Sequence, residues 1–171
     1  MAAQQAPDSY PFRKVRHSLT MTISVTDIFS IGIGPSSSHT VGPMRAAKQF
    51  LDSLEKHPAK VYTELRGSLS ATGRGHASDR AVILGLAGWD PLSVPIDAEP
   101  HAGGFIPSEG TISGPRGTVD YEIVFDNEPL PQHPNGMIFS AWDDSGNLLA
   151  EKEEYFSVGG GFILSRAELD A

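Results

Sequence analysis

Two short segments of the chain combine a histidine with small or hydroxyl-bearing residues just before a predicted helix. The first is Ser36-Ser37-Ser38-His39-Thr40, and the second is Gly73-Arg74-Gly75-His76. Backbone N–H groups at the start of a helix have no partner inside it, and the positive end of the helix dipole lies behind them. Each segment is therefore predicted to receive a carboxylate or a phosphate, with its histidine as an acid–base group.

Plainer interpretations of both segments stay open. One serine of the first could be an ordinary helix N-cap while the others face solvent. His76 is predicted in the first helical turn, where the dipole lowers the pKa of an imidazole, yet it could be structural. The second segment resembles a phosphate-binding loop only superficially, because no Gly-Lys-Ser/Thr follows. Two helix starts that each carry a histidine favour one shared pocket.

Two further motifs lie in the second half of the chain. His133-Pro134-Asn135-Gly136-Met137 precedes a predicted strand, and its Asn-Gly pair is a turn signal in its own right. A functional interpretation places His133 and Asn135 at the mouth of that strand. Ser157-Val158-Gly159-Gly160-Gly161 predicts a bulge, a tight bend, or a backbone surface that a ligand or partner approaches closely.

Composition narrows the classes of function. The 171 residues carry a net charge of −8, so neither nucleic acid nor an anionic membrane is an expected partner. No apolar run approaches the roughly 20 residues of a membrane span. The chain has no cysteine, which excludes disulfides, a thiol nucleophile and an iron–sulfur cluster held by this chain alone. The absence of cysteine fits a reducing compartment, and we expect the protein to be cytoplasmic.

The elements that must position these motifs follow from apolar periodicity and turn residues. Residues 1–20 are predicted to be an extension, either disordered or added by cloning, and residues 21–171 to form one domain. The order predicts an α+β domain with a mixed β-sheet flanked by two main helices. The predicted elements are a short helical turn or strand at 23–33, helices at 41–57 and 76–88, strands at 61–69, 119–125, 137–142 and 148–155, a loop at 89–117, and a last short strand after the glycines.

In this order the motifs closely resemble those of the iron–sulfur-dependent L-serine dehydratases. The resemblance rests on the segment from Ser30 to Met44, on Gly-Arg-Gly-His at 73–76, on His-x-Asn-Gly-Met at 133–137, and on Tyr-Phe-Ser-Val-Gly-Gly-Gly at 155–161. It covers residues 22–165, the β domain of that enzyme. The chain departs at Arg74, where the family more often has Lys, and at Phe156, where it more often has Tyr. That domain also resembles the allosteric substrate-binding domain of phosphoglycerate dehydrogenase.

The resemblance implies a β-elimination that converts L-serine to pyruvate and ammonia. It implies a [4Fe–4S] cluster held by the α domain of the same enzyme, which this chain lacks, and no metal ligand in this chain. We therefore expect the α domain as a partner, a homodimer, and an isolated chain that is inactive. The implied catalytic residues are His39, His76 and His133, with the base unassigned. The implied substrate-binding residues are Ser36, Ser37, Ser38, Thr40, Gly73, Gly75 and Asn135.

Two other classes of function remain open. In one, the domain is a non-catalytic regulatory module that binds serine or another anion. In the other, it is an interaction domain whose motifs build an interface. Cysteines downstream or on a neighbouring chain would favour the enzyme, whereas an interaction domain predicts no small-molecule binding.

Overall fold

The computed structural model describes residues 36–74, 76–95, 97–101 and 104–171. The predicted extension at 1–20, the domain start at 21 and the element at 23–33 lie outside these residues. A π-helical turn, Ser37–Val41, leads directly into the first helix. The helices are α1 (Gly42–Ser53), α2 (Ser68–Ala71), α3 (Ser78–Leu86) and α4 (Arg166–Asp170); the strands are β1 (Lys60–Arg66), β2 (Glu109–Gly114), β3 (Gly117–Asp126), β4 (Gly136–Trp142), β5 (Leu148–Gly159) and β6 (Phe162–Ser165).

The six strands form one mixed sheet in the order β2-β3-β1-β4-β5-β6. Strand β1 pairs parallel with β3 and antiparallel with β4. The pairs β2–β3, β4–β5 and β5–β6 are antiparallel. The predicted α+β class with a mixed sheet and two main helices is confirmed, while the likeness to the phosphoglycerate dehydrogenase domain stays a prediction.

The core lies between this sheet and the helices α1 and α3. Helix α1 buries Met44, Ala47, Phe50 and Leu51, a spacing of three and four that places them on one face. Phe50 stacks on Phe139 of β4, with 5.0 Å between the ring centroids. Burial alternates along β1, as expected for a strand with one face against the core.

The segment 89–117, predicted to be a loop, contains strand β2. Of its six residues only Ile112 is buried, so the strand carries almost no apolar alternation. Its pairing with β3 is what makes it a strand. Strand β1 ends at Arg66, earlier than predicted, because Gly67 has a φ of +59° that a strand does not adopt.

The predicted motifs converge at one edge of the sheet. Leu65, near the end of β1, pairs with Phe125 near the end of β3 and with Met137 at the start of β4. Gly136 in turn pairs with Phe156 near the end of β5. Segments that follow β1 and precede β4 therefore meet there. No helix in the described ranges is long and apolar enough to cross a membrane.

Candidate active site

The serine-rich segment folds into the π-helical turn that precedes α1. Ser36 is the N-cap: its backbone is extended and its Oγ accepts a hydrogen bond from the His39 N–H at 3.3 Å. Ser38 Oγ lies 3.3 Å from Ser36 Oγ. Within the described part of the chain the Ser37 hydroxyl makes no hydrogen bond. Ser36 therefore caps the helix, as the plainer interpretation predicts. The π-helical form of the turn is itself a feature that is frequent at functional sites.

The two ring nitrogens of His39 are both paired with serine hydroxyls. Nδ1 lies 2.8 Å from Ser38 Oγ, and Nε2 lies 3.0 Å from Ser68 Oγ. Burial lowers the pKa of His39, and the neighbouring imidazole of His76 lowers it further, while hydrogen bonding to Ser68 partly offsets both. The side chain is therefore held in place and biased toward its neutral form.

The His76 ring lies beside that of His39, with 5.3 Å between centroids and 43° between planes. Its Nδ1 is 3.0 Å from the carbonyl oxygen of Thr72. A carbonyl oxygen only accepts, so Nδ1 carries the hydrogen, and Nε2 of the neutral ring is left with a lone pair. Among the described residues no group bonds to that Nε2.

Side chains fasten the two histidine segments to each other. Thr40 Oγ1 donates to the backbone oxygen of His76 at 2.7 Å. The Ser78 hydroxyl donates to the backbone oxygen of His39. His76 itself precedes α3, which begins at Ser78, and Ala77 between them has a φ of +57°. The predicted position of His76 in the first helical turn is therefore wrong, because the chain reverses at Ala77 before the helix starts.

The His133–Met137 segment is anchored beside the serine turn. His133 Nδ1 accepts from the Asn135 N–H at 3.0 Å, which places the hydrogen of a neutral ring on Nε2. Asn135 Nδ2 donates to the Ser157 carbonyl at 3.3 Å. The fully buried Ser157 hydroxyl donates to the Ser38 carbonyl at 2.7 Å. Two side chains, those of Asn135 and Ser157, thus tie this segment, through β5, to the start of α1.

A second connection runs through Ser68, the first residue of α2. Its N–H donates to the Pro134 carbonyl at 2.9 Å, while its hydroxyl pairs with His39. Gly67 permits this, because a Cβ there would collide with the Pro134 carbonyl. Three separate chain segments are therefore held around His39.

The structure brings most of the predicted site residues into this region. Ser36, Ser38, His39 and His76 lie in direct contact, and Asn135 joins them through Ser157. Thr40 is 1% exposed, so its hydroxyl holds the His76 segment in place. Gly73 is buried, and a Cβ there would collide with the Leu69 carbonyl. Gly75 lies outside the described residues.

Sequence reasoning missed Ser68 and gave Ser157 no side-chain role. The signal for Ser68 was the pair Gly67-Ser68, a turn residue and a helix-capping residue after a strand. The sequence marks Ser157 only as part of a glycine-rich motif, although a serine in the buried half of a strand needs a hydrogen-bond partner.

These residues do not provide a site for an iron–sulfur cluster. The chain has no cysteine, and the described residues contain no group of three or more metal-binding side chains. Thiolates are the usual ligands of such clusters. The donor set is made instead of hydroxyls, imidazoles and one amide, which suits a small polar organic molecule.

Comparison with known proteins assigns the family. The family model described as serine dehydratase beta chain matches residues 24–168. L-serine dehydratase TdcG of Escherichia coli (strain K12) is 47% identical over 153 residues, which are 83% of this chain and 33% of that protein. L-serine dehydratase of Mycobacterium tuberculosis is 47% identical over 156 residues, 85% of this chain and 33% of that protein. The chain spans about a third of the length of these relatives. It belongs to the serine dehydratase beta chain family.

Proposed function

We propose that this chain forms the substrate-binding part of an L-serine dehydratase, a lyase that converts L-serine to pyruvate and ammonia. The observation that carries the proposal is the contact between the two imidazoles beside the serine turn, with 5.3 Å between the centroids of His39 and His76. The family membership and the names of the relatives support it.

Binding of the substrate carboxylate is assigned to Ser36, Ser37 and Ser38. The Ser37 hydroxyl makes no hydrogen bond within the described part of the chain, so it can donate to a ligand. The neighbouring hydroxyls of Ser36 and Ser38 offer further donors at the start of a helix. The dipole of α1 adds a favourable field for a negative charge. Asn135 and the backbone at Gly73 and Gly75 complete the proposed substrate-binding set.

The proposed base is His76. Its Nε2 carries a lone pair because Nδ1 is engaged by the Thr72 carbonyl. In the reaction Nε2 takes the Cα proton, the electrons of that C–H bond form the Cα–Cβ double bond, and the Cβ–O bond breaks. The departing hydroxide takes up a proton to become water, and the aminoacrylate that forms tautomerises and is hydrolysed to pyruvate and ammonia. A positioned general base contributes about 10²- to 10⁴-fold to such a rate.

Supporting roles are proposed for the other two histidines. His39 is biased toward its neutral form by its lowered pKa and is held by two serines, so it orients the substrate beside His76. His133 presents an N–H at Nε2, which suits a hydrogen bond to the leaving oxygen. Thr40 positions the His76 backbone.

The chain has no cysteine to hold the [4Fe–4S] cluster that the resemblance implies, so we place the cluster in an α domain that would pack against this edge of the sheet. The relatives are about three times as long as the matched segment, which leaves room for such a domain. The homodimer and the cytoplasmic location stay predictions.

A chimera tests the proposal. The matched third of the Escherichia coli relative is replaced by this chain, and pyruvate formation from L-serine is measured under anaerobic conditions. We expect activity, and we expect His76→Gln to lower kcat by about 10²- to 10⁴-fold. His57→Gln, at an exposed position bonded to the Thr118 carbonyl, is the control and keeps activity.

His39→Gln is expected to lose less than His76→Gln, because it removes a positioning group. Full activity of the His76→Gln chimera would refute the assignment of the base. A chimera that folds and binds L-serine but makes no pyruvate would favour the regulatory module instead.

A further inference from the structure

A cavity of about 230 Å³ lies at the start of α3. Its wall contains charged and apolar groups in a small space, and none of the described serines and histidines of the candidate active site lines it. Because the volume is below that of a drug-sized pocket, a molecule of amino-acid size fits it best. The wall is formed by Arg74, Ala77, Asp79, Arg80, Gly104, Phe105 and Ile106.

Asp79 supplies a buried carboxylate to this cavity. The residue is 6% exposed, and one carboxylate oxygen accepts the Arg80 N–H at 2.9 Å. Among the described residues no cationic side chain forms an ion pair with it. Burial raises the pKa of Asp79, and the Arg80 N–H and the nearby Arg74 guanidinium offset the cost of the buried charge only in part. A cationic group on a ligand would remove that cost.

Two guanidinium groups offer donors to the same cavity. Arg74 is exposed and lies over the Phe125 ring, 4.7 Å from its centroid, and it forms no ion pair within the described chain. Arg80 pairs through Nη2 with Glu99 at 3.2 Å, but its Nε is buried and has no partner in the part of the chain that the structure describes. A buried donor without an acceptor is rare, and a ligand carboxylate would satisfy it.

The segment beside the cavity is fastened to the body of the domain. Arg80 Nη2 donates to the Ala98 carbonyl. His101 Nε2 lies 2.6 Å from the Tyr121 hydroxyl, which also lies 3.3 Å from the Pro107 carbonyl. These contacts hold Ala98, His101 and Pro107 against α3 and β3, so the cavity is a built feature of the fold.

We propose that this cavity is a second small-molecule site that binds a zwitterionic α-amino acid. The ammonium group contacts Asp79, the carboxylate contacts the guanidinium groups of Arg74 and Arg80, and a small side chain faces Phe105. The charges of Asp79 and Glu99 balance those of the two arginines, so a ligand with both charges fits better than a simple anion or cation. This inference does not depend on the proposed function.

The test uses L-alanine, which has both charges but no β-hydroxyl leaving group. Its binding to the full chain is measured by calorimetry and by amide chemical shifts. Asp79→Asn keeps the shape and the acceptor for the Arg80 N–H, and it is expected to weaken binding about 10- to 100-fold. Arg74→Gln, at an exposed position, is expected to weaken it about two- to fivefold.

Matched controls separate this site from the candidate active site. Arg116→Gln removes an exposed arginine that pairs with Asp52, and it should leave L-alanine binding unchanged. Ser38→Ala reports on any L-alanine that binds at the serine turn of the candidate active site instead. Absence of binding at millimolar L-alanine, or binding weakened by Ser38→Ala and not by Asp79→Asn, would overturn the proposal. Acetate or methylammonium binding as tightly as L-alanine would overturn the zwitterion assignment.

Discussion

The ring centroids of His39 and His76 lie 5.3 Å apart. The hydrogen bond from Thr40 to the His76 carbonyl, which joins residues 36 apart in sequence, holds the two segments together. Two imidazolium ions at this distance would repel each other, so one charge disfavours the second. The pair is therefore most stable with at least one neutral ring, and this makes the stability of the domain depend on pH.

We expect the free energy of unfolding to fall as the pH falls below about 6.5. The pKa of His39 is lowered in the folded chain, so the unfolded state takes up its proton first as acid is added. The contribution is fully present above the unfolded pKa of 6.5 and is lost as the pH drops toward the folded pKa. Urea unfolding of wild type and His39→Gln between pH 5 and 8 measures it.

The variant should show a flatter profile than wild type over that range, because glutamine does not titrate. His57→Gln controls for the loss of an imidazole elsewhere on the surface. Parallel profiles for wild type and His39→Gln would show that the His39 ring does not contribute.

Replacing Ser157 with alanine should destabilise the domain by about 1–3 kcal/mol. The substitution removes the fully buried hydroxyl that donates to the carbonyl of the half-buried Ser38. Chemical denaturation gives the change, and Ser113→Ala, at an exposed serine of β2, should stay within about 0.5 kcal/mol of wild type. Equal effects of the two substitutions would argue that the Ser157 bond adds nothing.

Alanine at Gly42 should also be destabilising, by about 1–3 kcal/mol, because its Cβ would collide with the Ser157 side chain. The backbone at Gly42 has a φ of −57°, so no conformational strain is involved. The double variant Gly42→Ala/Ser157→Ala should cost less than the sum of the two single changes, because they share one contact. Strict additivity in the denaturation data would rule the collision out.

The isolated chain should form no pyruvate from L-serine, even with iron and sulfide added under anaerobic conditions. It has no cysteine to hold a cluster. A lactate dehydrogenase-coupled assay measures the product, with the chimera as the positive control. Substantial pyruvate from the isolated chain would refute the division of roles proposed above.

Periodicity and turn residues predicted most of the fold. Helix α1 and strand β3 have strong apolar patterns, while β4 and β5 were predicted from the turn Asp143-Asp144-Ser145-Gly146, which the structure forms between them. Strand β2 could not be predicted, because its strand character comes from pairing with β3 and not from its own residues. The exact starts of the helices also depend on contacts, as Ala77 and Ser78 show.

The site was predictable where the motif was local. A histidine beside serines ahead of a helix marks His39, and a histidine in a glycine segment marks His76. The partnership of His39 with Ser68 joins residues 29 apart in sequence, and no local pattern encodes it. The same holds for the roles of Thr40 and Ser157, whose hydroxyls act on the backbone of distant segments.

The hydrogen bond from Ser157 to Ser38 joins residues 119 apart in sequence, so it can form only late in the synthesis of the chain. At ordinary translation speeds, Ser157 is added roughly 6 to 24 s after Ser38. Until Ser157 emerges from the ribosome, its hydroxyl cannot donate to the Ser38 carbonyl, and water hydrogen-bonds to that carbonyl instead. A nascent chain truncated before β5 is complete would therefore hold the serine motif but not the hydrogen bond that anchors it.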